Sequence, residues 1–207
     1  MRTEPVLKVG FLGSRRLEKG VDLHARLLGA VLKSRLPIQV LVQRHRPNAP
    51  GDPLDAFKSH PRVRLVDGWM TDAAMAELVQ SLDAVMLPYD PARYGAMVSG
   101  VFTLAAGYGK PCVVPAGTWM AERIEAGEAA GVIYGRFGGD SMMAALQSLC
   151  DNIELYADQA ADLAERWRRN YSADALVDRM MRWAEIPPRA APPPPVMTRE
   201  PELAQAR

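Results

Sequence analysis

The sequence contains few of the residues that build metal centres or disulfide frameworks. Two cysteines and three dispersed histidines occur among 207 residues, which argues against a zinc site. Cys112 and Cys150 lie in an apolar run and in a helical pattern. Because the N-terminus carries no export signal, we expect both to be reduced core residues rather than a disulfide. We therefore predict no metal site.

Long apolar runs and an excess of one charge are also missing. No apolar stretch reaches the ~20 residues that a membrane-spanning helix needs, and the start, MRTEPVLK, lacks the apolar core of a signal peptide. The 25 Lys and Arg nearly balance the 24 Asp and Glu, for a net charge of +1. This balance argues against nucleic acid as a partner and against a polybasic membrane anchor. We predict a cytoplasmic protein without a transmembrane segment.

Short apolar runs alternate along the chain with helical patterns. The predicted strands are residues 7–12, 38–42, 63–66, 84–87, 111–115 and 131–134. Strands of continuous apolar residues between helices are typical of a parallel sheet that is covered on both faces. The fold class is therefore α/β, a Rossmann-like, doubly wound parallel sheet, whose ligand crevice lies at the carboxyl ends of the strands.

The last third of the chain differs in composition. Residues 140–186 are rich in Ala, Leu, Met and Trp and predict a helical C-terminal extension with a break near Asn170. Residues 187–207 are rich in proline and cannot bury much apolar surface, which predicts a disordered tail. The PPPP run within this tail is either solvated or a recognition motif. Residues 1–186 are accordingly predicted to form one domain.

A candidate anion site lies in PYDPARYGAMVSGVFTLAAGYGKPCVVPAG, residues 88–117. Ser99 is a suitable N-cap for the helix that follows, and Gly100 would let a ligand approach the backbone. Val101 can pack inward. Free N–H groups and the helix dipole make such a helix start attractive to a phosphate. The alternative is that Ser-Gly merely begins a core helix.

The loop GSRRLEKG after the first strand supplies cations. Arg15, Arg16 and Lys19 would lie at the carboxyl end of that strand, near the helix that begins after Ser99. There they could neutralise a diphosphate that backbone N–H groups alone would hold less well. The alternative is a solvated basic turn.

Three segments in order carry a family resemblance: GSRRLEKGVDL, VRLVDGWMTDAAMAELVQSLDAVMLPY and SGVFTLAAGYGKPCVVP. Together they resemble the donor-binding, C-terminal domain of GT-B glycosyltransferases, in particular the group 1 or family 4 enzymes, over roughly residues 7–185. The resemblance implies a single GT-B half that binds a nucleotide-diphosphate sugar and serves transfer of the glycosyl group to an unknown acceptor. It implies no cofactor beyond this donor substrate.

The resemblance also implies site residues. It assigns the diphosphate to Arg15, Lys19 and Gly20 in the first loop and to Ser99, Gly100 and Val101 at the helix start. Lys19-Gly20 matches the family's Lys-Gly, whereas Ser14 stands where the family has its arginine and Arg15 follows one residue later.

For the base and the sugar, the resemblance points to Gly68, Trp69 and Met70 after the third strand. Tyr94, which precedes the phosphate helix, could contact the sugar or the diphosphate. Trp69 could equally be a core or interface aromatic, and Tyr94 could be an ordinary loop residue.

Two departures from the family qualify the enzymatic prediction. The two glutamates that flank the family's phosphate helix are replaced by Ala96 and Leu104, so the catalytic residue is unknown.

A GT-B enzyme also has two Rossmann-like domains, about twice this length. We therefore expect a partner chain to supply the acceptor-binding N-terminal domain, and Met180, Met181 and Trp183 to be partly exposed. The alternatives are a non-catalytic nucleotide-binding or interaction module derived from a GT-B enzyme, and a sugar-nucleotide epimerase of the same architecture.

Overall fold

Six apolar runs form the strands of one sheet. The computed structural model describes residues 6–13, 16–44, 51–135 and 139–184. The strands are β1 (Leu7–Phe11), β2 (Ile38–Arg44), β3 (Val63–Asp67), β4 (Ala84–Met86), β5 (Cys112–Pro115) and β6 (Gly131–Tyr134). Every pairing within the sheet is parallel, as the continuous apolar runs predict.

The helices of the described residues connect these strands and continue beyond the last one. They are α1 (Val21–Lys33), α2 (Asp72–Gln80), α3 (Pro91–Tyr94), α4 (Gly100–Gly107), α5 (Trp119–Glu125), α6 (Gly139–Asp151), α7 (Ile153–Asn170) and α8 (Ala173–Ala184). Short 3-10 helices span Leu17–Lys19 and Pro53–Phe57. Hydroxyl N-caps fix several starts: Thr71, Ser99 and Thr118 accept from the third N–H of α2, α4 and α5.

Neighbouring residues along each strand enter opposite cores, because side chains alternate between the faces of a sheet. Val40, Met86 and Val113 face the core that α1 and α6 cover. Leu41 and Val85 face the other core, which α2, α4, α5 and Trp167 of α7 cover. Burial on both faces explains why the strands are apolar throughout rather than alternating.

The strand order is β3-β2-β1-β4-β5-β6. β1 is central and pairs with β2 on one side and β4 on the other, so the winding reverses between β1 and β4. Loops leaving the carboxyl ends of these two strands therefore diverge and leave a crevice, which is where open α/β sheets bind ligands. The segments after β1 and β4 are the two that carry the predicted diphosphate residues.

An aromatic cluster fixes the position of α4. The ring of Phe102 packs edge-on against Trp119, at 5.8 Å between centroids, and against Trp167, at 5.6 Å. Tyr171 stacks on Trp167 at 4.1 Å, and the Trp167 indole N–H donates to the carbonyl of Thr103 at 3.0 Å. The side chains thus tie α4 to α5 and α7. Trp119, the first residue of α5, is part of this cluster.

The C-terminal region divides at residue 172, and α8 belongs to the second unit. The Leu, Val, Met and Trp side chains of α8 are at least half exposed: Leu176, Val177, Met180, Met181 and Trp183. This confirms the predicted exposure of its apolar face. The predicted proline-rich tail, residues 187–207, lies outside the described residues.

No helix in the described part of the chain is both long and apolar enough to cross a membrane, and the two cysteines are free thiols.

Candidate functional site

The loop after β1 is shaped by two glycines. Gly13 has a φ of +102°, and its N–H donates to Oε1 of the buried Gln43 at 2.9 Å. The 3-10 helix Leu17–Lys19 ends at Gly20, which has a φ of +72° and begins α1. Glu18 accepts through its carbonyl from the N–H of Asp90 at 2.9 Å, so the loop is bonded to the segment that follows β4.

The start of α4 has the geometry of an anion site. Ser99 is buried, and its hydroxyl accepts from the N–H of Phe102 at 3.2 Å. Gly100 and Val101 are in the first turn, where N–H groups have no intrahelical partner. A Cβ on Gly100 would meet no atom within 4 Å. Packing within the described residues therefore does not require a glycine at this position, and the space beside it is open.

The structure brings the two predicted segments together at Gly13. A Cβ built on Gly13 would lie 3.3 Å from Nζ of Lys19, 3.3 Å from a methyl group of Val101 and 3.5 Å from the hydroxyl of Tyr89. Lys19 comes from the β1 loop, Tyr89 from the β4 end and Val101 from α4. Three elements thus converge at the point where the winding of the sheet reverses.

Lys19 is a partly buried cation that no carboxylate of the described residues pairs with. The pKa of Lys19 is lowered, first by burial and then by repulsion from Arg16, while Glu18 opposes the change. Arg16 itself pairs with Glu18 at 3.1 Å, and Lys19 forms no ion pair with a carboxylate of the described residues. A partly buried ammonium beside a second cation is the arrangement that an anionic ligand would stabilise. Arg15, the other predicted cation, lies outside the described residues.

The rings of Tyr94 and Tyr89 pack against each other, and the Tyr89 ring lies next to Lys19. Tyr94 is 2% exposed, and its ring lies 4.5 Å from that of Tyr89. Lys19 places its ammonium 5.3 Å from the centroid of the Tyr89 ring, a cation–π distance. As placed, Tyr94 is a core residue that supports Tyr89. Sequence reasoning missed Tyr89; a polar aromatic residue directly after a strand at the switch point is the signal that could have indicated it.

The predicted base-binding segment follows β3. Gly68 has a φ of +94° with open space beside it, and its N–H donates to the carbonyl of Arg44 at 2.7 Å. Trp69 is 84% exposed, which rules out a core role, and Met70 packs partly into the core.

Arg44, the last residue of β2, links β2 to β3 at this edge of the sheet, and no sequence pattern indicates this role. It is 1% exposed and donates to both carboxylate oxygens of Asp67, at 2.7 and 2.8 Å, and to Asp55 at 2.6 Å. These bonds raise the pKa of Arg44, and the hydrogen bonds from Arg44 are the main reason that the pKa of Asp67 is lowered.

The two positions where the resembled family has glutamates carry no polar group. Ala96 is exposed in the loop before α4. Leu104 is partly buried on α4 and lines an open cavity of about 400 Å³ with Gly100, Thr103 and Trp167. The described site thus has donors and cations but no carboxylate at either position to act as a general base or nucleophile.

The comparisons with known proteins concern the fold. No protein-family model matches the chain, and no curated protein matches its sequence significantly. Among solved structures, HepE of Anabaena in complex with UDP matches 86% of this chain and 48% of its own, with a TM-score of 0.67 and 13% identity. The chain has the Rossmann-like fold of one GT-B half. This confirms the predicted fold class and the fold that the family resemblance implies.

Two further glycosyltransferases share this fold. WaaG, a glycosyltransferase involved in lipopolysaccharide biosynthesis, matches 88% of this chain and 48% of its own, with a TM-score of 0.62 and 18% identity. The catalytic domain of starch synthase IV of Arabidopsis thaliana, bound to ADP and acarbose, matches 89% of this chain and 38% of its own, with a TM-score of 0.66 and 15% identity. The chain therefore spans less than half of each of these three proteins.

Proposed function

We propose that this chain is the donor half of a glycosyltransferase and binds a nucleoside-diphosphate sugar at the β1–β4 crevice. The observation that carries the proposal is the convergence of the Lys19 ammonium and the first turn of α4 at Gly13. The solved complexes of HepE with UDP and with UDP-glucose support it, since they hold such ligands on the same fold.

In this proposal the diphosphate lies over Gly100 and Val101, whose free N–H groups point to it, and Lys19 neutralises its charge. Arg15 and Arg16 add positive charge from the same loop. Gly68, Trp69 and Met70 receive the base or sugar. As the diphosphate departs during transfer, its growing charge is stabilised by donors that are already in place. The acceptor is bound by residues outside this chain, supplied by a partner.

The test is calorimetric titration of UDP, GDP and ADP, each separately, into the purified chain. Binding of at least one of them at millimolar concentration or below is the expected result, because the site presents both a cation and free backbone donors. If none binds, the donor-site proposal fails. Inorganic sulfate at equal ionic strength is the control for non-specific anion binding.

A second candidate is a non-catalytic nucleotide-binding or interaction module. It is favoured by the apolar residues at positions 96 and 104 and by the exposed apolar side chains of α8. This candidate predicts nucleotide binding without release of UDP from UDP-glucose, even when candidate acceptors and partner chains are present. Release of UDP above the rate of a Lys19→Ala variant would contradict it.

A further inference from the structure

The hydroxyl of Tyr89 is one of several buried polar groups that the described fold leaves without a regular hydrogen bond. Tyr89 is 1% exposed. Its hydroxyl has no hydrogen-bond partner of normal distance and angle in the part of the chain that the structure describes, although the side chain of Ser99 lies close enough to interact with it. A buried hydroxyl without a partner costs about 1–3 kcal/mol of stability, so its presence calls for a reason. Burial also raises the pKa of the phenol, and Ser99 opposes this increase from the start of α4.

The position of this hydroxyl is specific. It lies 3.5 Å from the point that a Cβ on Gly13 would occupy, and the Lys19 ammonium and Val101 lie equally close to that point. Gln43, which binds the N–H of Gly13 through Oε1, leaves its own Nε2 without a partner among the described residues. Two buried donors without regular partners among the described residues therefore lie around one glycine, beside an ammonium that no described carboxylate pairs with.

We propose that the Tyr89 hydroxyl is a further binding group of the diphosphate site and donates a hydrogen bond to a phosphate oxygen. This inference rests on the proposed function. Lys19 places its ammonium 5.3 Å from the centroid of the Tyr89 ring, so the ammonium and the hydroxyl can contact the same phosphate group. The ligand then supplies the acceptor that the hydroxyl otherwise lacks, so that the unfavourable burial is relieved on binding.

The test is Tyr89→Phe, which removes the hydroxyl and keeps the ring that packs on Tyr94 and carries Lys19. We expect the Kd for the nucleoside diphosphate to rise about ten-fold or more, as for loss of a charge-assisted hydrogen bond. The melting temperature of the ligand-free protein should stay the same or rise, because an unpaired buried hydroxyl is removed. If Tyr89 had only a structural role, its replacement would not raise the Kd while leaving the melting temperature unchanged or higher.

Tyr134→Phe is the matched control. The Tyr134 hydroxyl is also buried and without a partner among the described residues, but Tyr134 ends β6, two strands away from β4, and packs in the opposite core. The control should affect the melting temperature as Tyr89→Phe does and leave the Kd unchanged.

Inorganic pyrophosphate serves as the second probe. Loss of affinity for pyrophosphate as well as for the nucleotide would place the hydroxyl at the phosphates and support the inference. Loss for the nucleotide alone would overturn it, and so would a Tyr89→Phe Kd within two-fold of the wild type. If the wild-type chain binds no nucleoside diphosphate at all, the proposed function and this inference fail together.

Discussion

Gly20 lies directly against the carbonyl oxygen of Pro88. A Cβ on Gly20 would overlap that oxygen, and the residue also has a φ of +72°. The contact joins the end of the β1 loop to the end of β4, one residue before Tyr89. The glycine of the Lys-Gly pair therefore has a structural role: it lets the loop pack closely enough to bring Lys19 over Tyr89.

Gly20→Ala is expected to destabilise the protein by about 2–5 kcal/mol. The left-handed backbone contributes about 1–2 kcal/mol, and crowding against Pro88 adds about 1–3 kcal/mol. Urea denaturation gives the free energy of unfolding. Gly127→Ala is the matched control, because Gly127 has a φ of +65° and open space for a Cβ. Equal losses in the two variants would show that the Pro88 contact is unimportant.

Lys19→Ala should weaken nucleoside-diphosphate binding by about 1.5–3 kcal/mol, the contribution of a charge-assisted hydrogen bond. The fold should not be affected, since Lys19 forms no ion pair with a described carboxylate. Calorimetry measures the change in Kd. Lys110→Ala is the control, because Lys110 precedes β5 at the amino ends of the strands. A similar loss in both variants would indicate a general charge effect rather than a site.

Gly100→Val should weaken binding further while leaving the melting temperature nearly unchanged. The added side chain enters open space within the protein but crowds the place where a phosphate would meet the first N–H groups of α4. Gly139→Val is the control, since Gly139 also begins a helix with open space beside it. A Gly100→Val protein that binds UDP, GDP or ADP as well as the wild type would exclude α4 as the phosphate site.

The fold could be predicted from the sequence because each strand is buried on both faces. Runs such as Ala84–Met86 are apolar without interruption, and hydroxyl caps mark the helix starts. The strand order could not be predicted in the same way, since it depends on which neighbours pair rather than on local pattern. The short helix α3 was missed, although Asp90 followed by Pro91 is a suitable cap and first residue.

The candidate site was predicted in part. Lys19, Gly100 and Val101 were indicated by local motifs, and the structure places Lys19 and Val101 within contact of one point at Gly13. Tyr89 and Gln43 act through tertiary contacts between β-strand ends, which no local spacing reveals. Tertiary contacts also explain the burial of Tyr94, the last residue of the short helix α3.

Arg44→Met is expected to lower the free energy of unfolding by about 3 kcal/mol. Breaking a buried ion pair costs about 3–5 kcal/mol because the partner remains charged. Asp55 and Asp67 keep part of their solvent contact, whereas the buried Asp52, 3.6 Å from Arg44, would lose this cation. Arg169→Met is the control: Arg169 pairs with Glu165 on the exposed face of α7, and such pairs contribute less than about 1 kcal/mol. A comparable loss in the two variants would contradict the importance of the buried cluster.

Acid should destabilise the wild-type protein through the same cluster. The pKa of Asp67 is lowered below its usual 3.8, first by hydrogen bonds from Arg44, so the unfolded chain takes up this proton at a higher pH than the folded one. The stabilisation by ionised Asp67 is therefore complete above about pH 4–5 and is lost as the pH falls through the lower, folded pKa. Urea midpoints measured from pH 7 to pH 3 should fall in the wild type and in Arg169→Met. In Arg44→Met the fall should be shallower, because Asp67 no longer has the cation that lowers its pKa; an equally steep fall would place the acid-sensitive group elsewhere.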